Sequence, residues 1–320
     1  MTEHPATRSV CVALVTFNRK HLLLECLDAL LRQTRPVDAL FIIDNGSTDG
    51  TADLLRERGY LADPRITLDR QVTNTGGSGG FNRGLQLGHS AGFDWIWLMD
   101  DDAEPAPDAL EQALTAATHP NASAIANYKV SAEGVAQANH MLLENGEAAG
   151  RVANSAAPLP LRFSSFVGLL VRSAVIQQVG LPRADFFLNQ DDMEYCMRLR
   201  TAGPILLVPR SVIRHKEAAR GGYVTRTFLG IQHARAPFRA FAFRYFELRN
   251  TTVVYGLQHG RLRTTLYALR RSVSLITAML AFHDDHPRQR LRLIVKAHRD
   301  ALRGNFDNDF PFRLLRELQP

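Results

Sequence analysis

In the stretch WIWLMDDDAEP, an apolar run ends abruptly in three consecutive aspartates, Asp100, Asp101 and Asp102. Carboxylates at the end of a buried strand repel one another and lose hydration, and a divalent cation is the simplest compensation. Successive side chains of an extended chain point to opposite sides, so we expect Asp100 and Asp102 to face the ion and Asp101 to face away. An acidic helix N-terminus is the alternative, because Pro105 and Pro107 suit a helix start.

The composition is that of a globular protein: 320 residues, 45% hydrophobic and 22% charged, enough for one large or two modest domains. The N-terminus lacks the basic region of a signal peptide, and the longest late apolar stretch, residues 272–282, is about half of a membrane-spanning helix. Cys11, Cys26 and Cys196 lie in apolar settings without CxxC spacing, which is typical of buried thiols. We therefore expect a cytoplasmic protein, at most peripheral at the inner face of the cell membrane.

Charge is divided unevenly along the chain. Residues 1–197 carry 15 Lys and Arg against 24 Asp and Glu, whereas residues 198–320 carry 23 against 8. A basic C-terminal region indicates a surface for phosphates, carried by anionic lipid, a substrate or nucleic acid.

Strand-like and helix-like segments alternate four times in the first 120 residues, beginning with the valine-rich run at residues 9–17. This pattern predicts a doubly wound α/β sheet, in which ligands bind beyond the carboxyl ends of the strands. Further along, we expect short strands and a mobile loop over 122–160, a helix from about residue 191, and strands at 205–208 and 212–214. From residue 227 onward the chain is predicted to be helical and basic.

The segment TNTGGSGGFNRG places glycines at the start of a predicted helix. It is not a dinucleotide-binding fingerprint, because with Gly77 and Gly79 as the first two glycines the third position is Asn82, and no Gly-Lys-Ser/Thr follows as in a P-loop. Backbone amides at a helix N-terminus still suit a phosphate, and Arg83 adds a charge that can reach a diphosphate. A flexible turn is the alternative.

Four further acidic or imidazole residues are candidates for chemistry. Asp44 ends the second strand and can accept a hydrogen bond from a nucleobase or ribose, or cap the next helix. In the pair Asp191-Asp192, one carboxylate can accept a proton from a hydroxyl; the alternative is a helix start stabilised by a Glu194–Arg198 ion pair. His215 is either structural or the nitrogen ligand that the acidic cluster lacks.

Six motifs occur in a fixed order: TFNR, IIDNGSTDGT, NTGGSGGFNRG, MDDD, QDDMEYCMR and the late His215. Together they resemble a family 2 glycosyltransferase of the GT-A fold, closest to the galactofuranosyl- and rhamnosyltransferase branch that builds bacterial cell-wall and surface polysaccharides. The resemblance covers roughly residues 9–220. It implies a Rossmann-like, mostly parallel sheet flanked by helices in residues 1–225, with a helical, basic extension in residues 226–320.

The resemblance also implies roles for individual residues. Asp192 would be the catalytic base and Asp191 would contact the donor or acceptor sugar; Gln190 replaces the tryptophan that precedes this pair in galactofuranosyltransferases, so both sugars stay open. Mn²⁺ or Mg²⁺ would be held by Asp100, Asp102 and His215. The nucleotide and its phosphates would be held by Thr16, Phe17, Arg19, Asp44, Asn74, Gly76, Gly77, Arg83 and Asp101.

The reaction implied is inverting transfer of galactofuranose or rhamnose from a UDP or dTDP sugar to a glycan or polyprenyl-diphosphate-linked acceptor. Arg249, in RYFELRN, would meet a lipid-linked diphosphate, and residues 261–280 would lie on an anionic membrane or form a solvated helical face. We expect no nucleic acid partner, and a homo-oligomer stays open. The alternatives are a catalytically silent nucleotide-sugar-binding protein and a nucleotidyltransferase; a dehydrogenase fails on the glycine spacing.

Overall fold

The computed structural model describes residues 8–153, 155–217, 224–228, 231–283 and 285–318. These residues form two compact units, one made of 8–184 with 192–217, and the other of 185–191 with the described residues from 224 onward. We keep the predicted domain boundary at residue 225 as a proposal.

The first unit alternates strands and helices. Its strands are β1 (Val10–Thr16), β2 (Ala39–Asp44), β3 (Ile66–Arg70), β4 (Trp95–Asp100), β5 (Ala103–Pro105), β6 (Ala124–Val130), β7 (Met141–Leu143), β8 (Leu159–Ser164), β9 (Leu169–Arg172) and β10 (Ile205–His215). Its helices are α1 (Lys20–Leu31), α2 (Thr51–Glu57), α3 (Gly76–Ser90), α4 (Ala109–Thr115), α5 (Ser173–Val179) and α6, which begins at Asp191 in the second unit and ends at Ala202.

One sheet runs through this unit in the order β3-β2-β1-β4-β9-β6-β10-β8-β7, with β5 pairing beside β10. The four strands β3, β2, β1 and β4 are parallel, and β9 is antiparallel to both of its neighbours. The predicted α/β class is therefore confirmed. β1 is buried on both faces: Val12 and Leu14 enter the core that holds α1 and α4, whereas Cys11 and Ala13 enter the core that holds α3 and α6. This two-sided burial explains its continuous apolar sequence.

The glycines of α3 allow this helix to lie directly on β1. A Cβ atom at Gly84 would lie 2.6 Å from the Cβ of Ala13, and one at Gly80 would lie 2.6 Å from Cγ1 of Val15. Gly88 continues the same helix face one turn further. Close packing on the strand is thus a structural reason for glycine at these positions.

The structure corrects two predictions. Residues 205–215 form the single strand β10, with a shift of register between Val208 and Val212, instead of two short strands. Pro209 lies in this interval and has no N–H to donate to the ladder, which is a reason for the bulge. The predicted helical region also begins later, because β11 (Val224–Phe228) and β12 (Ile231–Arg235) pair as an antiparallel ladder.

The second unit is otherwise helical, with α7 (Phe238–Ala242), α8 (Arg244–Phe282), α9 (Pro287–Arg303) and α10 (Phe310–Arg316). Gly260 interrupts α8 with φ 74° and ψ 169°, values that favour glycine. An aromatic and aliphatic core joins the helices, with members such as Phe241, Phe246, Leu293 and Phe310. Among the described residues, no helix has the combined length and apolar character that crossing a membrane requires.

Candidate active site at the carboxyl edge of the sheet

Three strand ends lie side by side at one edge of the sheet. In the parallel ladders, Thr16 of β1 is opposite Asp44 of β2, and Val15 is opposite Asp100 of β4. The polar loops that follow these strands therefore start from neighbouring positions, as the α/β pattern predicted. The turn after β1 exposes Phe17, and Asn18 Oδ1 accepts a hydrogen bond from the backbone N–H of Thr48 at 2.7 Å, which ties this turn to the loop after β2.

The acidic cluster meets His215 because β5 pairs with the end of β10. In that ladder His215 lies opposite Ala103, the residue after Asp102. Nε2 of His215 is 3.3 Å from Oδ1 of Asp102. Asp100, Asp102 and His215 each offer one possible metal-ligand atom, and these three atoms lie within 4.8 Å of one another. Two carboxylates and one imidazole suit Mn²⁺ or Mg²⁺. The structure thus brings together the three residues predicted to hold the metal.

Asp101 is bound by other side chains of the protein. Its Oδ2 accepts a hydrogen bond from Thr16 Oγ1 at 2.8 Å, and its Oδ1 lies 3.2 Å from Nη1 of Arg19. The same Arg19 atom is 3.2 Å from Asp102. Burial raises the pKa of Asp101 to about 6, against the opposing effects of Arg19 and Thr16. One arginine therefore offsets part of the repulsion inside the acidic run.

Asp44 has one engaged and one free carboxylate oxygen. Its Oδ1 accepts a hydrogen bond from the N–H of Ser47 at 2.8 Å. Its Oδ2 is buried and has no hydrogen-bond partner among the described residues, although Nε of Arg70 lies 3.6 Å away. A buried carboxylate oxygen without a donor is costly, so Asp44 is suited to accept a hydrogen bond from a ligand.

Gln137 is a residue that sequence reasoning missed. Its amide nitrogen donates to the backbone oxygen of His215 at 3.0 Å, and its Oε1 lies 3.0 Å from Nδ1 of the same histidine. Because the amide oxygen only accepts, Nδ1 carries the proton, and Nε2 is the ring nitrogen that faces Asp102. A histidine oriented in this way is suited to act as a metal ligand through Nε2. No motif marks it, since it lies 78 residues from His215 in sequence.

His140 and Glu217 form a second group around the same histidine. Nε2 of His140 is 2.9 Å from a carboxylate oxygen of Glu217, and the rings of His140 and His215 are 5.0 Å apart. Donor atoms of these three residues also fit within 4.8 Å of one another. Burial lowers the pKa of His140, which Glu217 partly opposes. His215 therefore borders two groups of metal-binding atoms.

The glycine-rich loop is placed as predicted, but Arg83 is not directed to a ligand. Asn74 Oδ1 accepts a hydrogen bond from the N–H of Gly76 at 2.7 Å at the start of α3, and the Cβ position of Gly77 is open. Arg83 makes two contacts with Asp69, at 2.9 and 3.1 Å. A bidentate pair of this kind holds the guanidinium, so the structure does not support the predicted contact of Arg83 with a diphosphate.

The catalytic candidates lie at the start of α6, where Asp192 Oδ1 accepts a hydrogen bond from the N–H of Met193 at 2.7 Å. The predicted ion pair between Glu194 and Arg198 is present one turn later. Both features are those of an ordinary helix start, so the geometry of α6 leaves the roles of Asp191 and Asp192 as predictions.

Lys129 is an unexpected buried charge near this helix start. It is 0% exposed, and its Nζ donates to Ser164 Oγ at 2.7 Å. Cys196, one turn after Asp192, contacts the backbone oxygen of Ser164 at 3.2 Å. Burial lowers the pKa of Lys129 to about 7, an effect that Cys196 and Asp192 oppose. A lysine whose pKa lies near neutrality is thus electrostatically coupled to the predicted base.

The structure contradicts the expectation that Arg249 meets a diphosphate. Arg249 is 0% exposed, and its Nη2 donates to the backbone oxygen of Phe186 at 2.9 Å. Asn250 donates to the backbone oxygens of Phe186, Leu188 and Asn189 at 2.8 to 2.9 Å. These two side chains instead hold the segment that leads into α6, where Asn189 has a left-handed φ of 66°. Such a backbone needs support from its surroundings.

The family model of glycosyl transferase family 2 matches residues 11–179, more than half of the chain. The chain is 30% identical over 210 residues to galactofuranosyltransferase GlfT1 of Mycolicibacterium smegmatis, which covers 62% of this chain and 67% of that protein. It is 29% identical over 204 residues to GlfT1 of Mycobacterium tuberculosis, covering 62% and 66%. This chain belongs to glycosyl transferase family 2, and it is a glycosyltransferase of the galactofuranosyltransferase-like kind.

Solved structures show the same fold. The mannosyltransferase PcManGT from Pyrobaculum calidifontis, in complex with GDP-Man and Mn²⁺, has a TM-score of 0.56 and 18% identity, covering 98% of this chain and 80% of that one. TarS 1–349 of S. aureus in complex with UDP has a TM-score of 0.52 and 14% identity, covering 97% and 92%. These likenesses confirm the predicted GT-A fold.

The lowered pKa of Lys129 should make the stability of the protein depend on pH. Because the folded-state pKa of about 7 is below the ordinary 10.5, the unfolded chain holds a proton that the folded chain lacks between these pH values. Stability contributed by Lys129 therefore rises with pH across that window. We expect the free energy of unfolding, measured in urea, to rise more with pH in wild type than in Lys129→Met. Between pH 7 and 9 the difference between the two proteins should grow by up to about 1.4 kcal/mol per pH unit. A difference that does not vary with pH would contradict the lowered pKa.

Proposed function

We propose that this protein is an inverting, metal-dependent glycosyltransferase that moves galactofuranose from UDP to a lipid-linked glycan. The observation that carries the proposal is the group formed by Asp100, Asp102 and His215. It lies at the same edge of the sheet as Asp44, whose Oδ2 has no hydrogen-bond partner among the described residues. Galactofuranose is preferred to rhamnose, and UDP to dTDP, because the relatives with about 30% identity are named galactofuranosyltransferases.

In this proposal each part of the sheet edge has one task. Asp100, Asp102 and His215 would hold Mn²⁺ or Mg²⁺, and such an ion would supply positive charge to balance the charge of a departing diphosphate. Asp44 accepts a hydrogen bond from the uracil or the ribose. Thr16 and Arg19 hold Asp101 in place, so that the acidic run keeps its shape beside the nucleotide. The backbone amides at the start of α3 face the phosphates.

Asp192 acts as the general base in this mechanism. It takes the proton from an acceptor hydroxyl as the hydroxyl oxygen attacks the anomeric carbon. The bond from that carbon to the diphosphate breaks on the opposite face, so the configuration inverts in one displacement. Asp191 contacts a sugar. The proposed acceptor is a glycan on a polyprenyl diphosphate; another relative, 30% identical over only 86 residues, is named undecaprenyl-phosphate mannosyltransferase.

Asp192→Asn should abolish sugar transfer from UDP-galactofuranose and leave UDP and Mn²⁺ binding near normal, because the amide keeps the size of the side chain but cannot take a proton. Transfer is measured with a radiolabelled donor, and binding by calorimetry. Asp53→Asn, at an exposed ion pair on α2, is the matched control and should retain activity. Full activity of Asp192→Asn would remove Asp192 from the mechanism.

Gln137→Leu should weaken Mn²⁺ binding about ten- to hundredfold, because His215 loses the group that fixes its proton on Nδ1. Calorimetric titration of Mn²⁺ into the protein without substrate measures this directly. Gln33→Leu is the control, since Gln33 is similarly buried but bonds to Ala29, Ala106 and Leu110. Equal Mn²⁺ affinity in Gln137→Leu and Gln33→Leu would exclude His215 as a ligand prepared by Gln137.

We also propose that α8 lies on an anionic membrane surface. After Gly260, the exposed residues Leu262, Leu266, Leu269 and Val273 recur at spacings of three and four, forming one apolar stripe. The sequence has no Asp or Glu between Glu247 and Asp284. A second copy packed on this stripe would therefore bring arginines together, whereas anionic lipid offers the opposite charge.

The replacement of Leu262 and Leu269 by serine should reduce sedimentation of the protein with phosphatidylglycerol vesicles by at least about tenfold in partition coefficient, since two apolar side chains no longer enter the lipid. Val72→Ser, at another highly exposed apolar residue, is the control. If the double variant sediments with the vesicles as well as wild type does, α8 is not the membrane-binding element.

A further inference from the structure

The two halves of α8 fold back on each other at Gly260. Tyr255 and Tyr267 are twelve positions apart, which in a straight helix would separate them by about 18 Å. In the structure their rings stack with centroids 4.4 Å apart and planes inclined by 14°. Gly256 likewise lies against Thr264, because a Cβ atom at position 256 would be only 3.3 Å from Oγ1 of Thr264. The break at Gly260 thus creates a concave surface between the halves.

A cavity of about 380 Å³ lies on this surface, lined by the two tyrosines and by Arg263, Arg270 and Arg271. Positions 263, 267, 270 and 271 fall on one face of the second half of α8, because they are separated by one or two helical turns. Within the part of the chain that the structure describes, none of the three arginines forms an ion pair. Three cations thus line one open cavity without a carboxylate to balance them.

We propose that this cavity binds a phosphomonoester or diphosphate anion. Guanidinium groups bind phosphate oxygens through paired, charge-assisted hydrogen bonds, and tyrosine hydroxyls add further donors. Leu266 belongs both to the cavity lining and to the apolar stripe. A phosphate held here would therefore lie beside a surface suited to acyl or prenyl chains. Only the lipid source of the anion rests on the proposed function; recognition of the anion itself does not.

A lipid-linked diphosphate would meet the basic region after Gly260 rather than at Arg249. Arg249 is buried against backbone oxygens and is unavailable. Arg263 and Arg270 are exposed, and Arg271 is half-buried. The accessible positive charge of α8 therefore lies after Gly260.

The test is calorimetric titration of inorganic pyrophosphate into the full chain in metal-free buffer. We expect measurable binding by wild type and a loss of at least about tenfold in affinity when Arg270 and Arg271 are both replaced by glutamine, because charge-assisted bonds to two guanidinium groups are removed. The matched control replaces Arg261 and Arg303 by glutamine. Both are exposed and lie outside the cavity lining, so the control has the same net charge and should bind within about twofold of wild type.

Arg263→Gln, a single change at an exposed position, keeps the test decisive if the double variant does not fold. Asp192→Asn should bind pyrophosphate as wild type does, so failure of the catalytic proposal can be told apart from failure of this one. No binding by wild type, or equal losses in the cavity and control variants, would overturn the proposed site.

Vesicles identify the source of the anion. Phosphatidic acid carries a phosphomonoester, whereas phosphatidylglycerol carries a phosphodiester. If a lipid head group is the ligand, wild type should prefer phosphatidic acid vesicles at equal mole fraction, and the variant with Arg270 and Arg271 replaced should lose the preference. Pyrophosphate binding that depends on these arginines, without a preference between the two lipids, supports the site and assigns it to a soluble phosphate.

Discussion

The repulsion among three consecutive carboxylates is the constraint on which the rest of this site depends. Asp101 and Asp102 are buried, and the guanidinium of Arg19 and the hydroxyl of Thr16 contact this run. Three adjacent carboxylates in a poorly hydrated place favour the approach of positive charge. His215 places Nε2 3.3 Å from Oδ1 of Asp102, and two carboxylates with one imidazole suit a divalent metal. The sheet edge is thus built to receive a further positive charge.

The glycine-rich segment has two physical roles that the sequence does not separate. At its start, Gly77 leaves the N-terminus of α3 unobstructed, which suits the approach of a phosphate. Further along, Gly80 and Gly84 bring the same helix into contact with β1. The second role places α3 close to the strand that ends at Thr16. Packing of the helix therefore helps to position the loop that we propose binds phosphate.

Arginines in this chain differ in function according to burial rather than to local sequence. Arg249 belongs to a segment that resembles a family motif, yet its guanidinium donates hydrogen bonds to the backbone oxygens of Asp185 and Phe186. Arg263 and Arg270, in a stretch without a motif, are exposed at an open cavity. Burying a guanidinium requires that its donors be satisfied inside the protein, so a fully buried arginine has little capacity left for a ligand.

The sequence by itself determined the α/β alternation, the acidic run at the end of β4 and membership of the family, and it named the residues that we propose hold a metal. Hydrophobic period and motif order are local properties of the chain, which is why the sequence could show them. Tertiary structure decided which side chains meet. Thr16 and Asp101 are 85 residues apart and Gln137 and His215 are 78 apart, so no local pattern predicts either contact. It also decided that Arg83 pairs with Asp69, since both project from neighbouring elements whose spacing only the packed sheet sets.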